Sequence, residues 1–113
     1  MKMTSRDSTL DLTAAATSFA ALGSEQRLSV LKLLVRAGPD GLSIGELGER
    51  SGVTGSTLTH HMKLLAAAGL VRQVRDGRRI ICIGAAYERM QELSTFLLNE
   101  CCADAPDGGH RHD

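Results

Sequence analysis

The chain has 113 residues, 42% of them hydrophobic and 3% aromatic, so its length suits one domain with an aliphatic core. No run of about 18 apolar residues is present, which excludes a transmembrane helix, and the N-terminus lacks the apolar stretch of a secretory signal, so we expect a cytoplasmic protein. The formal net charge is zero, but residues 50–79 carry six basic side chains and one acidic one, a distribution typical of a phosphate-binding surface.

Two helices are predicted at the start of the chain. Residues 1–8 are expected to be disordered, and an alanine-rich helix is predicted over 9–21. Ser24 follows a glycine and is expected to cap a second helix over 25–37. Four apolar residues of this second helix recur at helical spacing and are expected to face the core: Leu28, Leu31, Leu34 and Val35.

A second pair of helices, joined by a tight turn, is predicted next. Ser43 and Glu46 have the spacing of a capping box, and the short helix that they open should end near Gly52. Thr54 is expected to cap a further helix that runs to Ala68. Two helices joined by a short glycine-containing turn are typical of a helix-turn-helix.

A β-hairpin and a last helix complete the predicted domain. The strands are expected over 70–75 and 78–83, with Asp76-Gly77 as a turn in which both residues have positive φ. A helix is predicted over 86–102, and a disordered tail over 104–113. The predicted fold is therefore mainly α with a β-hairpin wing, a winged helix-turn-helix that occupies residues 9–103.

The fourth helix and the hairpin together fit a DNA duplex. A recognition helix needs short hydrogen-bonding side chains on its outer face, and arginines at a hairpin tip can contact phosphates or enter the minor groove. The predicted DNA-binding residues are Ser56, Thr57, Thr59, His60, Lys63, Arg75, Arg78 and Arg79. For any one of these residues, a helix cap or a solvated surface charge is an equally simple interpretation.

Several segments in this order resemble the ArsR/SmtB family of winged-helix repressors. They are Ala21–Leu31 (ALGSEQRLSVL), Ser56–Leu65 (STLTHHMKLL), Ala68–Val71 (AGLV) and Arg75–Arg78 (RDGR). Thr59 stands where the family pattern usually has serine, which keeps the hydroxyl. The resemblance implies a cytoplasmic homodimer joined through its first and last helices. It also implies repression at an operator, with release when a metal or metalloid ion binds or a thiol is modified.

The effector site that this resemblance implies has to be sought among three cysteines. The paired cysteines of arsenite sensors are missing from residues 42–47, and the histidine pattern of zinc sensors is missing from residues 87–100. The remaining candidate ligands are Cys82 on the outgoing wing strand and the pair Cys101-Cys102. Thiolates select soft or borderline ions such as Zn(II), Cu(I) or trivalent arsenic.

The hypothesis for the inducer is a trivalent arsenical, arsenite or methylarsenite, bound by these thiols. Adjacent helical residues point about 100° apart, so Cys101 and Cys102 should not face one ion unless the helix end unwinds. We therefore expect Cys82 and Cys101 to form the core of the site, with Cys102 as a third ligand. Such a bond would link the wing to the dimer helix.

Other interpretations of the thiols remain open. The same fold could sense persulfide or an oxidant through a crosslink between two cysteines, or bind Zn(II) with the tail histidines His110 and His112. Cys82 could also be a small buried hydrophobe, with Cys101 packed at a dimer seam. No glycine-rich anion loop adjoins a cysteine, so we do not expect an enzyme.

Overall fold

The computed structural model describes residues 10–53 and 55–106. Its elements, in chain order, are α1 (Leu12–Leu22), α2 (Glu25–Ala37), β1 (Leu42–Ser43), α3 (Ile44–Ser51), α4 (Gly55–Ala67), β2 (Val71–Asp76), β3 (Arg79–Gly84) and α5 (Ala86–Leu98). A single 3-10 turn over Gly38–Asp40 separates α2 from β1. The predicted disordered start, the predicted cap at Thr54 and all of the predicted tail beyond residue 106 lie outside the described residues. Within the described part, no helix is both long and apolar enough to cross a bilayer.

Side-chain caps fix where the early helices begin. The Asp11 carboxylate accepts from the backbone N–H of Ala14 (2.8 Å), and the Ser24 hydroxyl accepts from that of Arg27 (3.2 Å). At α3 the predicted capping box is confirmed: the backbone N–H of Glu46 donates to Ser43 Oγ (3.1 Å), and that of Ser43 donates to Glu46 Oε1 (2.9 Å). These bonds pair backbone donors that the first helical turn leaves free.

The capping box supplies a test of local stability. Replacing Ser43 with alanine leaves the Glu46 backbone donor without its side-chain acceptor, so we expect the free energy of unfolding to fall by about 1 kcal/mol. Urea titration followed by far-UV circular dichroism measures this change. Ser29→Ala, at an exposed position inside α2, is the matched control and should change the free energy of unfolding by less than about 0.5 kcal/mol.

The wing belongs to a three-stranded antiparallel sheet with strand order β1-β3-β2. The sequence predicts only the hairpin of β2 and β3. The added strand is two residues long, and it pairs Leu42 with Cys82 and Ser43 with Ile81. Ile81 and Cys82 of the central strand β3 are therefore paired on both sides, and the wing is joined there to the start of the helix-turn-helix.

The hairpin turn differs from the prediction by one residue. Asp76 pairs with Arg79, so the two turn residues are Gly77 and Arg78 rather than Asp76 and Gly77. Gly77 has a φ of +64°, and the other turn residue does not share the positive φ. A glycine with positive φ at the first central position alone is the pattern of a type II′ turn, which matches the twist of the strands as well as type I′ does. The register therefore places Arg78 at the tip.

The core lies between the helices and the inner face of the sheet. As predicted, Leu31 and Leu34 of α2 are buried, and so are the three apolar residues of α4: Leu58, Met62 and Leu65. The prediction is wrong for Leu28 and Val35, which are 42% and 55% exposed, while Val30 is fully buried. The apolar face of α2 is therefore rotated from the predicted one, and two aliphatic side chains are left on the surface.

The last helix is shorter than predicted. It ends at Leu98, and residues 99–106 follow in turns and a bend. Backbone bonds from Cys101 N–H to Leu98 O and from Ala103 N–H to Glu100 O close successive tight turns. Cys102 has a φ of +62°, which is incompatible with a right-handed helix. Both late cysteines therefore lie after the helix and not on its apolar face.

Candidate nucleic-acid interface and thiol pair

Helix α4 presents a polar face that is open to solvent along its first two turns. All five of the predicted DNA-binding residues on this helix are exposed: Ser56, Thr57, Thr59, His60 and Lys63. The opposite side of the helix is buried through Leu58, Met62 and Leu65, so the orientation of the polar face is fixed by the core. Thr59 Oγ1 donates to the Gly55 carbonyl (3.3 Å), which leaves its lone pairs free to accept.

The wing presents its arginines around the turn. Arg75, Arg78 and Arg79, the predicted DNA-binding residues of the wing, are all exposed. Arg75 lies opposite Ile80 and Arg79 lies opposite Asp76, so the two arginines project from opposite faces of the hairpin, with Arg78 at its tip. Such an arrangement can straddle the sugar-phosphate backbone.

The first turn of α3 carries a carboxylate whose pKa is lowered. Hydrogen bonds from Ser43 hold the pKa of the Glu46 carboxyl below its usual value, and the charges of Arg50 and Arg79 lower that pKa further.

A polar cluster behind α4 connects it to the other helices. His61 is buried, its Nε2 donates to Gln26 Oε1 (2.8 Å), and Arg27 Nη1 approaches its Nδ1 at 3.5 Å. Arg27 also donates from Nε to the Ala21 carbonyl at the end of α1 (2.9 Å). His61 therefore packs between the helices. The sequence carries no spacing signal for the cluster, because His61 lies more than 30 residues from Gln26 and Arg27.

This cluster makes the stability of the protein depend on pH. Burial lowers the pKa of His61, and the charge of Arg27 lowers it further. The unfolded chain therefore binds more protons than the folded one as the pH falls below about 6.5, and the free energy of unfolding should fall with it. Urea titrations at pH 7.5 and 5.5 test this expectation. His61→Gln should reduce the difference between the two pH values, whereas the control His60→Gln, at the exposed neighbouring position, should retain it.

Cys82 lies inside the core and away from solvent. It is fully buried in the middle of the central strand, and Gln73 Nε2 donates to its Sγ at 3.7 Å. Burial raises the pKa of this thiol, an effect that the bond from Gln73 only partly offsets. A protonated, inaccessible thiol is a poor nucleophile and a poor metal ligand. In this chain Cys82 has the environment of a small hydrophobic residue.

The other two thiols, by contrast, lie together on the surface. Cys101 Sγ and Cys102 Sγ are 3.5 Å apart, and both residues are exposed. The turn after α5 brings them together, which adjacent residues within a helix could not achieve. The hydrogen bond with Cys102 raises the pKa of Cys101.

The predicted three-thiol site is not assembled within one chain. In the described part of the protein, no group of three or more His, Cys, Asp or Glu side chains could hold a metal ion. The expected core pair of Cys82 and Cys101 is replaced by the surface pair Cys101-Cys102, because the helix ends early and Cys82 packs in the core. The histidines His110 and His112 lie outside the described residues.

Comparison with known proteins places this arrangement among transcription regulators. A family model described as a helix-turn-helix domain matches residues 22–74. An uncharacterized HTH-type transcriptional regulator of Bacillus subtilis, YceK, is 38% identical over 60 residues, which are 53% of this chain and 59% of that protein. The chain thus spans less than two thirds of the length of this relative.

Two solved structures extend the likeness to most of the chain. An ArsR-like transcriptional regulator from Rhodococcus sp. RHA1 is 30% identical, with a TM-score of 0.66 over 81% of this chain and 82% of that one. The homodimeric winged helix-turn-helix DNA-binding domain of a Mycobacterium bovis protein is 23% identical, with a TM-score of 0.64 over 97% of each chain, and this supports the fold. By their descriptions these proteins are regulators or DNA-binding domains and not enzymes, in agreement with the prediction.

Proposed function

The chain belongs to the ArsR family of winged helix-turn-helix transcriptional regulators, and on this premise we propose that it represses transcription by binding double-stranded operator DNA. The observation that carries the proposal is the exposed polar face of α4 beside a hairpin whose tip carries three exposed arginines. The helix would enter the major groove, where its short side chains can read base edges. The wing would fix the register through the backbone or the minor groove.

A homodimer is part of this proposal. The two helices that would form the interface expose large apolar side chains: Leu12 and Phe19 on α1, and Tyr87, Met90 and Leu97 on α5. Apolar surface of this extent is stabilised when a partner covers it. A two-fold dimer would present two α4 helices to half-sites about 34 Å apart, so we expect a palindromic operator.

Binding to a duplex from the promoter of its own gene tests the proposal. The apparent association constant, measured by fluorescence anisotropy at several salt concentrations, should fall steeply as salt rises, because bound arginines and lysines displace counterions from phosphates. A scrambled duplex of equal length is the control and should bind more weakly. Absence of binding to any duplex at low salt would contradict the proposed function.

For the inducer, we propose a trivalent arsenical held by Cys101 and Cys102. The two sulfur atoms are 3.5 Å apart and open to solvent, which suits the chelation of one soft centre. Methylarsenite, with two exchangeable hydroxyl groups, would form two As–S bonds with the two thiols and release two water molecules. Inorganic arsenite takes three thiolates, so the isolated pair favours the organic form.

Of the two other effectors, Zn(II) receives less support from the geometry. Structural zinc sites hold the ion with four ligands, and in the described part of the chain these thiols have no histidine or carboxylate close enough to complete such a set. Sensing of an oxidant or persulfide would use the same pair of thiols. Mass spectrometry after each treatment distinguishes it from arsenical binding, because a disulfide removes two hydrogen atoms, a polysulfide bridge adds sulfur, and only an arsenical adds arsenic.

A further inference from the structure

The hydroxyl of Ser18 connects α1 to the end of the recognition helix. Ser18 is fully buried, and its Oγ donates to the carbonyl oxygen of Ala68 at 2.8 Å. Ala68 follows the last residue of α4, so this bond pairs one of the carbonyl groups that a helix leaves free at its C-terminus. Leaving a buried hydroxyl or a buried carbonyl without a hydrogen-bond partner costs free energy. The bond therefore favours one relative position of α1 and the end of α4.

The side chain of Arg89 connects α5 to the next residue of the same turn. Gly69 has a φ of +77°, and a Cβ placed on it would lie only 2.7 Å from Arg89 Cζ and Nε. The guanidinium therefore occupies space that only a glycine leaves open. Arg89 Nη1 pairs with Glu92 Oε1 of its own helix at 3.4 Å.

One donor of Arg89 is not used in this arrangement. Among the buried side-chain nitrogen and oxygen atoms of the described residues, Arg89 Nε is the one without a hydrogen-bond partner. A buried N–H without a partner costs free energy, so the guanidinium is held here by packing against Gly69 and by its ion pair with Glu92.

The two connections meet at a single turn, the segment 68–70, which we call the α4 end turn. A third bond, from the Ala85 backbone N–H to the Leu70 carbonyl at 2.9 Å, joins the start of α5 to the same segment. The helices that contact this turn, α1 and α5, are those that expose large apolar side chains such as Leu12 and Tyr87. Because packed helices move as rigid bodies, a shift of α1 or α5 would tilt α4 from its C-terminal end.

We propose that Ser18 and Arg89 are positioning residues that set the orientation of α4 in the major groove according to the packing of α1 and α5. The proposal rests on the proposed DNA-binding function and adds the contacts through which dimer packing reaches the DNA-reading face. Neither residue contacts DNA in this scheme, and each acts through the α4 end turn.

Ser18→Ala tests the first contact in the full-length protein. We expect the affinity for the promoter duplex to fall by about 10-fold, a coupling within the usual range, while the affinity for a scrambled duplex changes by less than about 2-fold. Thr17→Ala is the matched control, because the Thr17 hydroxyl donates to the Thr13 carbonyl of its own helix, and it should change neither affinity. Val30→Ala removes buried apolar volume where α2 packs in the core, so it shows how a loss of stability alone changes the two affinities.

Arg89→Gln and Gly69→Ala test the second contact as a double-mutant cycle. The first substitution removes the guanidinium, and the second displaces it with a methyl group, so each should lower the preference for the promoter duplex over the scrambled one. The strain that alanine adds at the positive φ of Gly69 is a cost in stability and should weaken binding to both duplexes alike. If both act through the same contact, the double variant should lose no more than about 2-fold beyond the larger single loss. Additive losses would show that the two residues act separately and would overturn the role of Arg89.

A measurement without DNA separates this proposal from the proposed function. Amide hydrogen exchange at residues 65–70 should be faster in Ser18→Ala and Arg89→Gln than in the wild type, and unchanged in Thr17→Ala. Unchanged exchange in these two variants, or equal losses for promoter and scrambled duplexes, would overturn the positioning roles. Failure of the wild type to bind any duplex would instead overturn the proposed function, and with it the positioning roles.

Discussion

Replacing Arg75, Arg78 and Arg79 together with glutamine is expected to weaken operator binding by about 100-fold near physiological salt. The three side chains surround the turn of the wing, and all of them are exposed in the free chain. If each neutralises one phosphate, their removal lowers the slope of log K against log salt by about 0.9 per contact, or nearly 3 in total. The core is not involved, so the thermal midpoint should change little.

Anisotropy titrations at four or more salt concentrations give both the affinity and the slope. Arg72→Gln is the matched control. Arg72 is an exposed arginine of β2, the strand that also carries Arg75, but it lies near Tyr87 and Glu88 at the base of the wing. That variant should bind as the wild type does. An unchanged salt slope in the triple variant would mean that the wing does not contact phosphates, and the DNA-binding surface would then be confined to α4.

The sequence was sufficient for features that depend on neighbours in the chain. A cap such as Ser43 with Glu46 needs only a spacing of three residues, so the start of α3 is confirmed. The buried face of α4 is confirmed for the same reason, because Leu58, Met62 and Leu65 repeat at helical spacing. The order of helices, hairpin and helix follows from such local patterns, and it was enough to indicate the fold class.

Features that depend on distant residues were not accessible in this way. The strand of Leu42 and Ser43 exists because β3 offers a free edge, and two residues carry no periodicity of their own. Val35 is exposed because tertiary packing sets how α2 is rotated about its own axis relative to the sheet. The helical spacing of apolar residues does not contain this information. The bond between Ser18 and Ala68 joins residues 50 positions apart.

The thiol site was the least predictable part of the chain. Its geometry depends on whether residues 99–102 continue the helix, and helix ends are the least certain feature of any sequence pattern. Because α5 ends at Leu98, the angle of about 100° between adjacent helical residues does not apply to Cys101 and Cys102. The residue type was enough to identify the three cysteines as candidates. Which two of them lie close together depends on the backbone conformation after α5.

Cys101→Ser and Cys102→Ser are each expected to abolish release from the operator by methylarsenite while leaving operator binding intact. Either substitution removes one of the two sulfur atoms that lie 3.5 Å apart, so the arsenic loses one of its two As–S bonds to the protein. Without chelation the inducer is held by a single exchangeable thiolate. The decrease in operator affinity on inducer binding, typically about 5- to 150-fold in such switches, is then lost. Both residues are exposed, so the fold should be unaffected.

Cys82→Ser is the matched control, and it discriminates between the two thiol hypotheses. If the surface pair binds the inducer, this variant should still be released at the same methylarsenite concentration as the wild type, apart from a loss of stability caused by a hydroxyl in the core. If it folds and binds DNA but no longer responds, the buried thiol takes part and the pair alone is not the site. Anisotropy titration of the DNA complex with methylarsenite, followed by intact mass spectrometry, reports both release and stoichiometry. One arsenic per chain, lost in Cys101→Ser and Cys102→Ser and retained in Cys82→Ser, is the result we expect if the thiol pair after α5 binds the inducer.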